Sequence, residues 1–307
     1  KPRVDTAPRQ KDSLKSTFKS YGELLKSKLY VKCYILTMLG AFLYYAIAVT
    51  LVIYVLLIYG NQHYDNFPIF GTITLALLVV NIRDLFESAL FVPNFFIMKK
   101  FGKHRPFLID LPILFIGCAI LFFVTSATPI WIYLISIAFI GGGVSCLAVI
   151  PNALMPDLTD VDELIYGIRR EGASAGLISL GKQVVQGLAF LVLGIVLTAF
   201  GLSEENASPE KATAASLAAM RLMLCVLPVI GSIAMFFISR KYNLNAKSHN
   251  LIKEKIAEKR EKGFAVLTAE ERRTFTDITG IEAYRLWITE SAECKMQNEE
   301  CRIADNG

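Results

Sequence analysis

Long apolar runs constrain this chain more than any other feature. Six stretches are long enough to cross the hydrocarbon core of a bilayer, which takes about 20 apolar residues at about 1.5 Å of rise each. Hydrophobic residues make up 54% of the 307, well above an ordinary soluble domain. We therefore predict an all-α polytopic membrane protein, a six-transmembrane-helix bundle in the lipid bilayer. The predicted spans are about 31–58, 68–98, 106–125, 129–152, 171–200 and 217–238.

Lysine and arginine lie almost entirely in alternate loops and near the two ends. Residues 1–32 contain nine, 99–105 contain four, 157–170 contain two and 239–262 contain eight, whereas the other loops contain only Lys211. Basic loops stay on the cytoplasmic side of a membrane. We therefore predict a multi-pass protein of the plasma (inner) membrane with both ends of this chain in the cytoplasm. The formal charge of +5 then follows from topology, and no nucleic-acid partner is predicted.

The two ends differ in kind. Residues 1–30 are predicted to be a cytoplasmic basic linker, because they combine many positive charges with a short amphipathic stretch and have no signal-peptide core. They are typical of a linker between helices, so we expect the sequence to begin partway through a longer protein. Residues 31–238 form the predicted bundle. Residues 239–307 are predicted to be a cytoplasmic tail, partly helical, with a capping box at Thr268–Glu271.

Three charged residues, Arg83, Asp84 and Glu87, lie within the second predicted span. Each charge near the bilayer centre costs about 2.5–3.5 kcal/mol on the insertion scale, so the group should face the bundle interior or a water-filled cavity. Arg83 and Glu87 are four residues apart and can pair on one helix face, with Asp84 beside them. The group either lines a substrate or ion path, or is a buried ion-pair cluster that only fixes helix packing, or lies at an interface if the span is broken there.

A polar stripe runs along the fifth predicted span. Its members are Ser179, Lys182, Gln183 and Gln186, spaced as i, i+3, i+4 and i+7. They would lie near the bilayer midplane, where alternating-access transporters bind solute, and a lysine there suits an anionic or hydroxyl-rich solute. Asn152, beside Pro151 in the glycine-containing fourth span, is a further candidate ligand. Small-residue helix packing with interhelical hydrogen bonds explains the same pattern, and Lys182 can also snorkel to the interface.

A charged segment separates the fourth and fifth spans. Its ionisable residues are Asp157, Asp160, Asp162, Glu163, Arg169, Arg170 and Glu171. The stretch "MPDLTDVDELIYGIRREG" resembles the signature loop in the second half of glycoside–pentoside–hexuronide:cation symporters, the melibiose-permease group of the major facilitator superfamily. "KKFGKHRPF" and "YNLNAKSHNLIKEKIAEKR" resemble that family's loop between its eighth and ninth helices and the helix after its last span. The resemblance covers essentially the whole chain, as the C-terminal six-helix half only.

The resemblance implies sugar (glycoside):cation symport by alternating access. It implies Na⁺ or H⁺ as the coupling cation, no other cofactor, a small polar solute that is a sugar, and a missing N-terminal six-helix half as partner. The charged segment would be a cytoplasmic gate that ties the two halves together. Exposed ion pairs are worth only about 0–1 kcal/mol each, which suits a gate. A solvated turn whose arginines enforce topology is the alternative. Ungapped counting aligns the family's intramembrane lysine with Gln183, so which of Lys182 and Gln183 faces the cavity stays open.

Two other classes of function compete with this interpretation. One is a six-span membrane sensor or assembly protein that acts through its cytoplasmic tail. The other is a membrane enzyme, but no catalytic or metal-binding constellation stands out in the sequence. We therefore predict a transporter and not an enzyme.

Overall fold

The protein is mainly helical throughout the part that the computed structural model describes, which is residues 14–60, 62–67, 71–103, 105–202, 208–240, 246–263 and 265–289. The α-helices are α1 (Leu14–Leu24), α2 (Lys28–Tyr59), α3 (Leu75–Phe101), α4 (Pro106–Phe122), α5 (Ile130–Tyr166), α6 (Glu171–Ala199), α7 (Ala214–Arg221), α8 (Leu227–Arg240), α9 (Ala246–Lys262) and α10 (Ala269–Thr279). The strands are β1 (His63–Phe67) and β2 (Gly71–Thr74). A π-helical turn at Leu222–Val226 joins α7 to α8, and 3-10 turns lie at Pro209–Lys211, Ala283–Arg285 and Trp287–Thr289.

In the described part of the chain, four helical stretches are long and apolar enough to cross a membrane. They are α2, α5, α6 and the continuous stretch Ala214–Arg240 that contains α7 and α8. The other two predicted spans correspond to α3, which has 27 residues but carries three central charges, and to α4, which is apolar but has 17 residues. Every predicted apolar run therefore has a helical counterpart.

The second predicted span starts later than its hydropathy suggested. Strands β1 and β2 pair in antiparallel fashion, His63 with Thr74 and Phe67 with Gly71, so α3 begins at Leu75 and not near residue 68. The hydroxyl of Thr74 accepts a hydrogen bond from the backbone N–H of Leu77 and caps the helix. β-branched and aromatic residues before this cap favour strands as much as helices, which explains the difference.

The fourth span continues beyond its apolar part. α5 runs on from the predicted end at residue 152 to Tyr166, so the charged segment that was expected to be a loop is largely helical. The acidic residues at 157, 160 and 163 are three residues apart and lie on one helix face. Hydropathy marks where a helix is apolar and not where it ends, which explains the difference.

The chain divides into two units. The linker–tail unit comprises Lys1–Val31, Leu158–Leu177 and Ile252–Gly307, and the bundle unit comprises Lys32–Asp157 and Ile178–Leu251. The predicted linker and tail are described only in part, because residues 1–13 and 290–307 lie outside the described residues.

Glycines bring helices of the bundle unit close together. A Cβ added at Gly143 in α5 would lie 2.5 Å from the backbone of Leu114 in α4, and one at Gly141 would collide with the carbonyl oxygen of Arg83 in α3. A Cβ at Gly117 in α4 would in turn lie 2.8 Å from the backbone nitrogen of Ile140. Small residues at helix contacts are the usual means of close packing in membranes.

We expect Gly143→Ala to destabilise the bundle unit by about 1–3 kcal/mol, because backbone atoms must shift to admit the new methyl group. Gly194→Ala is the matched control, since nothing lies within 4 Å of a Cβ at that position of α6 and alanine favours a helix over glycine by about 0.5–1 kcal/mol. Unfolding of the purified variants in detergent measures both changes. Equal stability of the two variants would contradict the tight α4–α5 contact.

The linker–tail unit has its own small core. Phe275, Leu286 and Ile288 are buried there, and α10 begins with the predicted capping box, in which Thr268 and Glu271 bond reciprocally. Gly167 adopts a left-handed conformation, with φ of 70°, against the indole of Trp287.

Candidate functional site

A polar cavity of roughly 180 Å³ lies within the bundle unit. Helices α2, α3, α5 and α6 all contribute to its wall. The polar side chains that line it are Thr37, Tyr44, Tyr45, Glu87, Asn152 and Lys182. The structure therefore brings together three of the residues singled out from the sequence, one each from α3, α5 and α6.

Arg83 forms the central ion pair of the second span, but with a different partner than expected. Its guanidinium donates to Asp84 Oδ1 from Nε at 2.9 Å and from Nη2 at 2.5 Å, and to the Tyr44 hydroxyl at 3.2 Å. It also lies 5.0 Å from the centre of the Tyr44 ring, within cation–π range. The predicted pair between Arg83 and Glu87 is wrong, because Tyr44 of α2 draws the buried guanidinium to itself and to Asp84.

Glu87 lines the polar cavity beside Tyr44, with which its carboxyl group interacts. Its Oε2 atom is buried and has no hydrogen-bond partner among the described residues. A buried acceptor without a donor is energetically costly, which makes this oxygen a candidate acceptor for a hydrogen bond from a bound molecule. Lys182 lines the same cavity and forms no ion pair with any residue that the structure describes.

The predicted stripe on α6 is divided. Lys182 lines the polar cavity, whereas Ser179 and Gln183 are exposed and Gln186 is half-buried, and these three are not among the described residues that line it. The contact of Gly181 with Tyr34 and Met38 of α2 sets the rotation of the helix. Successive residues are turned by about 100°, so the same rotation that admits Lys182 to the cavity turns Gln183 away.

Sequence reasoning missed the contribution of the first span. Thr37, Tyr44 and Tyr45 of α2 line the polar cavity, yet no charge marks them in an otherwise apolar run. The sequence does show two adjacent tyrosines with a threonine two helical turns earlier. Because hydroxyl groups need hydrogen-bond partners inside a membrane, this pattern could have indicated a polar face on α2.

The charged segment contributes to both units. In the bundle unit, Asp157 pairs with Lys103, and one of its oxygens lies 3.7 Å from His249 Nε2. In the linker–tail unit, Asp160 lies 3.0 Å from Arg169 Nη1 and 3.6 Å from Lys253 Nζ. Each of these acids therefore meets at least one basic group within its own unit.

The remaining acids of the segment pair within the linker–tail unit. Asp162 accepts two hydrogen bonds from Arg170, at 3.0 and 2.6 Å, and Arg170 also pairs with Glu23. Glu163 pairs with Arg260. Two further pairs join Arg169 to Glu163, at 4.0 Å, and to Glu171.

Apart from Glu171, whose side chain is 62% exposed, the acids of the charged segment are buried and not exposed as expected. Asp157, Asp160, Asp162 and Glu163 are only 7%, 6%, 5% and 2% exposed. Burial acts to lower the pKa of Arg170, but the hydrogen bonds and negative charges of Asp162 and Glu23 outweigh it and raise the pKa above its ordinary value. Breaking such buried pairs costs far more than breaking exposed ones.

The sequence was compared with known proteins. The family model for "MFS/sugar transport protein" matches residues 3–246. Among curated relatives, the "Uncharacterized symporter YjmB" of Bacillus subtilis (strain 168) is 27% identical over 260 residues, which is 83% of this chain and 52% of the relative. The "Putative sulfoquinovose importer" of Salmonella typhimurium is 25% identical, covering 59% of this chain and 37% of the relative, and that of Escherichia coli (strain K12) is 28% identical, covering 55% and 35%.

These comparisons agree with the helices and with the resemblance in the charged segment. The chain spans about half the length of the first relative and about a third of the other two. The family match and the membrane-length helices confirm an all-α polytopic membrane protein, and the matched family is one of transporters and not of enzymes. By its match over residues 3–246, this chain belongs to the MFS/sugar transport protein family.

Proposed function

We propose that this chain forms the C-terminal six-helix half of a sugar:cation symporter and that the polar cavity contributes to its solute site. The observation that carries the proposal is the convergence of Glu87, Asn152 and Lys182 from three helices onto one cavity. Convergent polar groups in a concave, partly apolar site are typical of small-molecule binding. Secondary transporters typically bind their solute near the membrane midplane, in sites to which several helices contribute side chains.

The size of the cavity supports a site that is shared with another part of the transporter. Ligand pockets usually measure about 300–1,000 Å³, whereas this one measures roughly 180 Å³. A second six-helix half would supply the other wall. Rocking of the two halves around the bound solute would then give alternating access, in the plasma membrane and with both ends of this chain in the cytoplasm.

The cavity, which has an unpaired lysine and the acid Glu87 in the same wall, favours an anionic sugar through that lysine. Lys182 is its only cationic lining residue among those described, and it has no acidic partner in the described structure to neutralise it. Two relatives are named sulfoquinovose importers, and sulfoquinovose carries a sulfonate. A sulfonate or carboxylate on the sugar would pair with the Lys182 ammonium, while the free oxygen of Glu87 would accept a hydrogen bond from a hydroxyl.

The buried ion pairs of the charged segment support a role as a cytoplasmic gate. Asp157, Asp160, Asp162 and Glu163 each pair with a basic residue of this chain in the present conformation. When the gate opens or closes, these acids would exchange their present partners for basic residues of the other six-helix half. Such an exchange keeps the buried charges paired at both ends of the cycle, which avoids the cost of an uncompensated charge.

Uptake of labelled sugars by cells that express the complete reading frame tests the proposal. We expect accumulation of an anionic sugar that depends on either a Na⁺ or an H⁺ gradient, measured with Na⁺ replaced by choline and with a protonophore. Uptake that needs neither gradient would contradict symport. If no sugar accumulates although the protein reaches the membrane, the transport proposal fails and the alternative, a sensor or assembly protein acting through its tail, gains support.

A further inference from the structure

A carboxyl group lies fully buried in the bundle unit, away from the polar cavity. Asp110, in the second turn of α4, is 0% exposed. Its Oδ2 atom accepts a hydrogen bond from Nδ2 of Asn94 in α3 at 2.7 Å, and Asn94 is itself 1% exposed. The other carboxyl oxygen, Oδ1, is buried and has no hydrogen-bond partner in the described structure. Cys146 of α5, also fully buried, lies beside the carboxyl.

No positive charge compensates this group within the described structure. The polar groups that face it are the Asn94 amide of α3 and the thiol and backbone N–H of Cys146 in α5, and none of them carries a charge at neutral pH. The nearest basic residue along the chain within the described part, Arg105, is exposed, and Lys103 pairs with Asp157. Asp110 therefore differs from every acid of the charged segment, each of which has a basic partner.

The balance of energies favours the protonated acid. Burying an ionised carboxylate without a partner costs at least several kcal/mol. The positive end of the α4 dipole returns only about 0.3–1 kcal/mol, and one hydrogen bond to the charged form returns about 1.5–3 kcal/mol. Adding a proton to Oδ1 removes the charge and gives this oxygen a hydrogen that can point towards the Cys146 sulfur, a weak acceptor.

We propose that Asp110 is a proton-binding site in the interior of the bundle unit, in which Asn94 orients the carboxyl group and Oδ1 carries the proton. The proton comes from a hydronium ion, which becomes water as the O–H bond forms. A metal cation fits this site poorly, because hard cations need several oxygen ligands and Asn94 presents its N–H group to the carboxyl. The proposal concerns proton binding and stands whether or not the protein carries a sugar.

The position of the site gives the proton a short route. Asp110 lies four residues after the start of α4, which is about 6 Å along the helix axis. The residues before it, at 99–105, comprise the last turn of α3 and the connection to α4 and are rich in basic side chains. A proton could therefore exchange between this segment and the carboxyl without crossing the bundle, which is the arrangement that a coupling proton would use on one side of the membrane.

Infrared spectroscopy of the purified full chain in nanodiscs tests the proposal. We expect the native chain to show a C=O stretching band of a protonated carboxyl group at neutral pH, and this band should shift on deuteration. In Asp110→Asn the band should lose the absorption of one carboxylic acid per chain. Asp277→Asn is the matched control, because Asp277 is exposed to solvent on α10 and its replacement should leave the band unchanged. Asparagine has nearly the shape of the protonated acid, so the variant should fold.

Two further measurements, the spectrum of Asn94→Leu and the response of the native chain to Na⁺, test whether Asp110 binds a proton. Asn94→Leu removes the hydrogen bond to Oδ2 and should shift the Asp110 band to higher frequency, even if Asp110→Asn is poorly folded. An unchanged band in both variants would overturn the proposal. If the spectrum and stability of the native chain respond to Na⁺ and these responses vanish in Asp110→Asn, the site binds a metal cation and the proton proposal is likewise wrong.

Discussion

Lys182→Met should reduce uptake of an anionic sugar by about 10- to 100-fold. A hydrogen bond to a charged group is worth about 1.5–3 kcal/mol, and each 1.4 kcal/mol changes an affinity about tenfold. The methionine keeps most of the length of the lysine and removes its charge, so the walls of the polar cavity should be retained. The measurement is the concentration dependence of uptake in cells that express the complete reading frame, corrected for the amount of protein in the membrane.

Two matched variants make this result interpretable. Lys211→Met removes the same charge at an exposed position and should leave uptake unchanged. Gln183→Met changes the neighbouring residue, which is exposed and turned away from the cavity, and should have at most a small effect. If Gln183→Met abolishes uptake and Lys182→Met does not, the family's usual register holds and the cavity described here is not the solute site.

Most of the fold could be predicted from the apolar runs of the sequence. Hydropathy and the alternation of basic loops are enough to predict helices at all six positions, because the bilayer demands long apolar segments whose backbone bonds are satisfied internally. The same reasoning placed the start of α3 too early and ended α5 too soon. Both differences occur where a segment leaves its apolar part, and there local capping and pairing decide the structure instead of hydropathy.

The candidate site was predictable only in part. Residues that are unusual for a membrane helix, such as Lys182 and Glu87, were found because charge is costly there. Which of two adjacent residues faces the cavity depends on helix rotation, and that is set by the Gly181 contact with α2, which the sequence does not display. Asp110 escaped notice because one acid near the end of an apolar run looks like an interfacial residue until its burial is known.

Arg170→Leu should destabilise the linker–tail unit by about 3–5 kcal/mol, which is the usual cost of removing one partner of a buried ion pair. The Arg170 side chain is 13% exposed and that of Asp162 is 5% exposed, and the guanidinium bonds both oxygens of Asp162. It also lies 4.4 Å from the centre of the Tyr166 ring. The substitution therefore leaves Asp162 charged, buried and without the donors that stabilise it.

Denaturant unfolding followed by the fluorescence of Trp287 measures this loss, in a Trp131→Phe background so that one tryptophan reports on this unit. Arg272→Leu is the control, since Arg272 is exposed and should change stability by less than about 0.5 kcal/mol. The double variant Asp162→Leu with Arg170→Leu should recover much of the stability, because replacing both members of a buried pair by apolar groups is often neutral or favourable. A loss that persists in the double variant would mean that Arg170 stabilises the unit through its contacts with Glu23 and Tyr166, and not by neutralising Asp162.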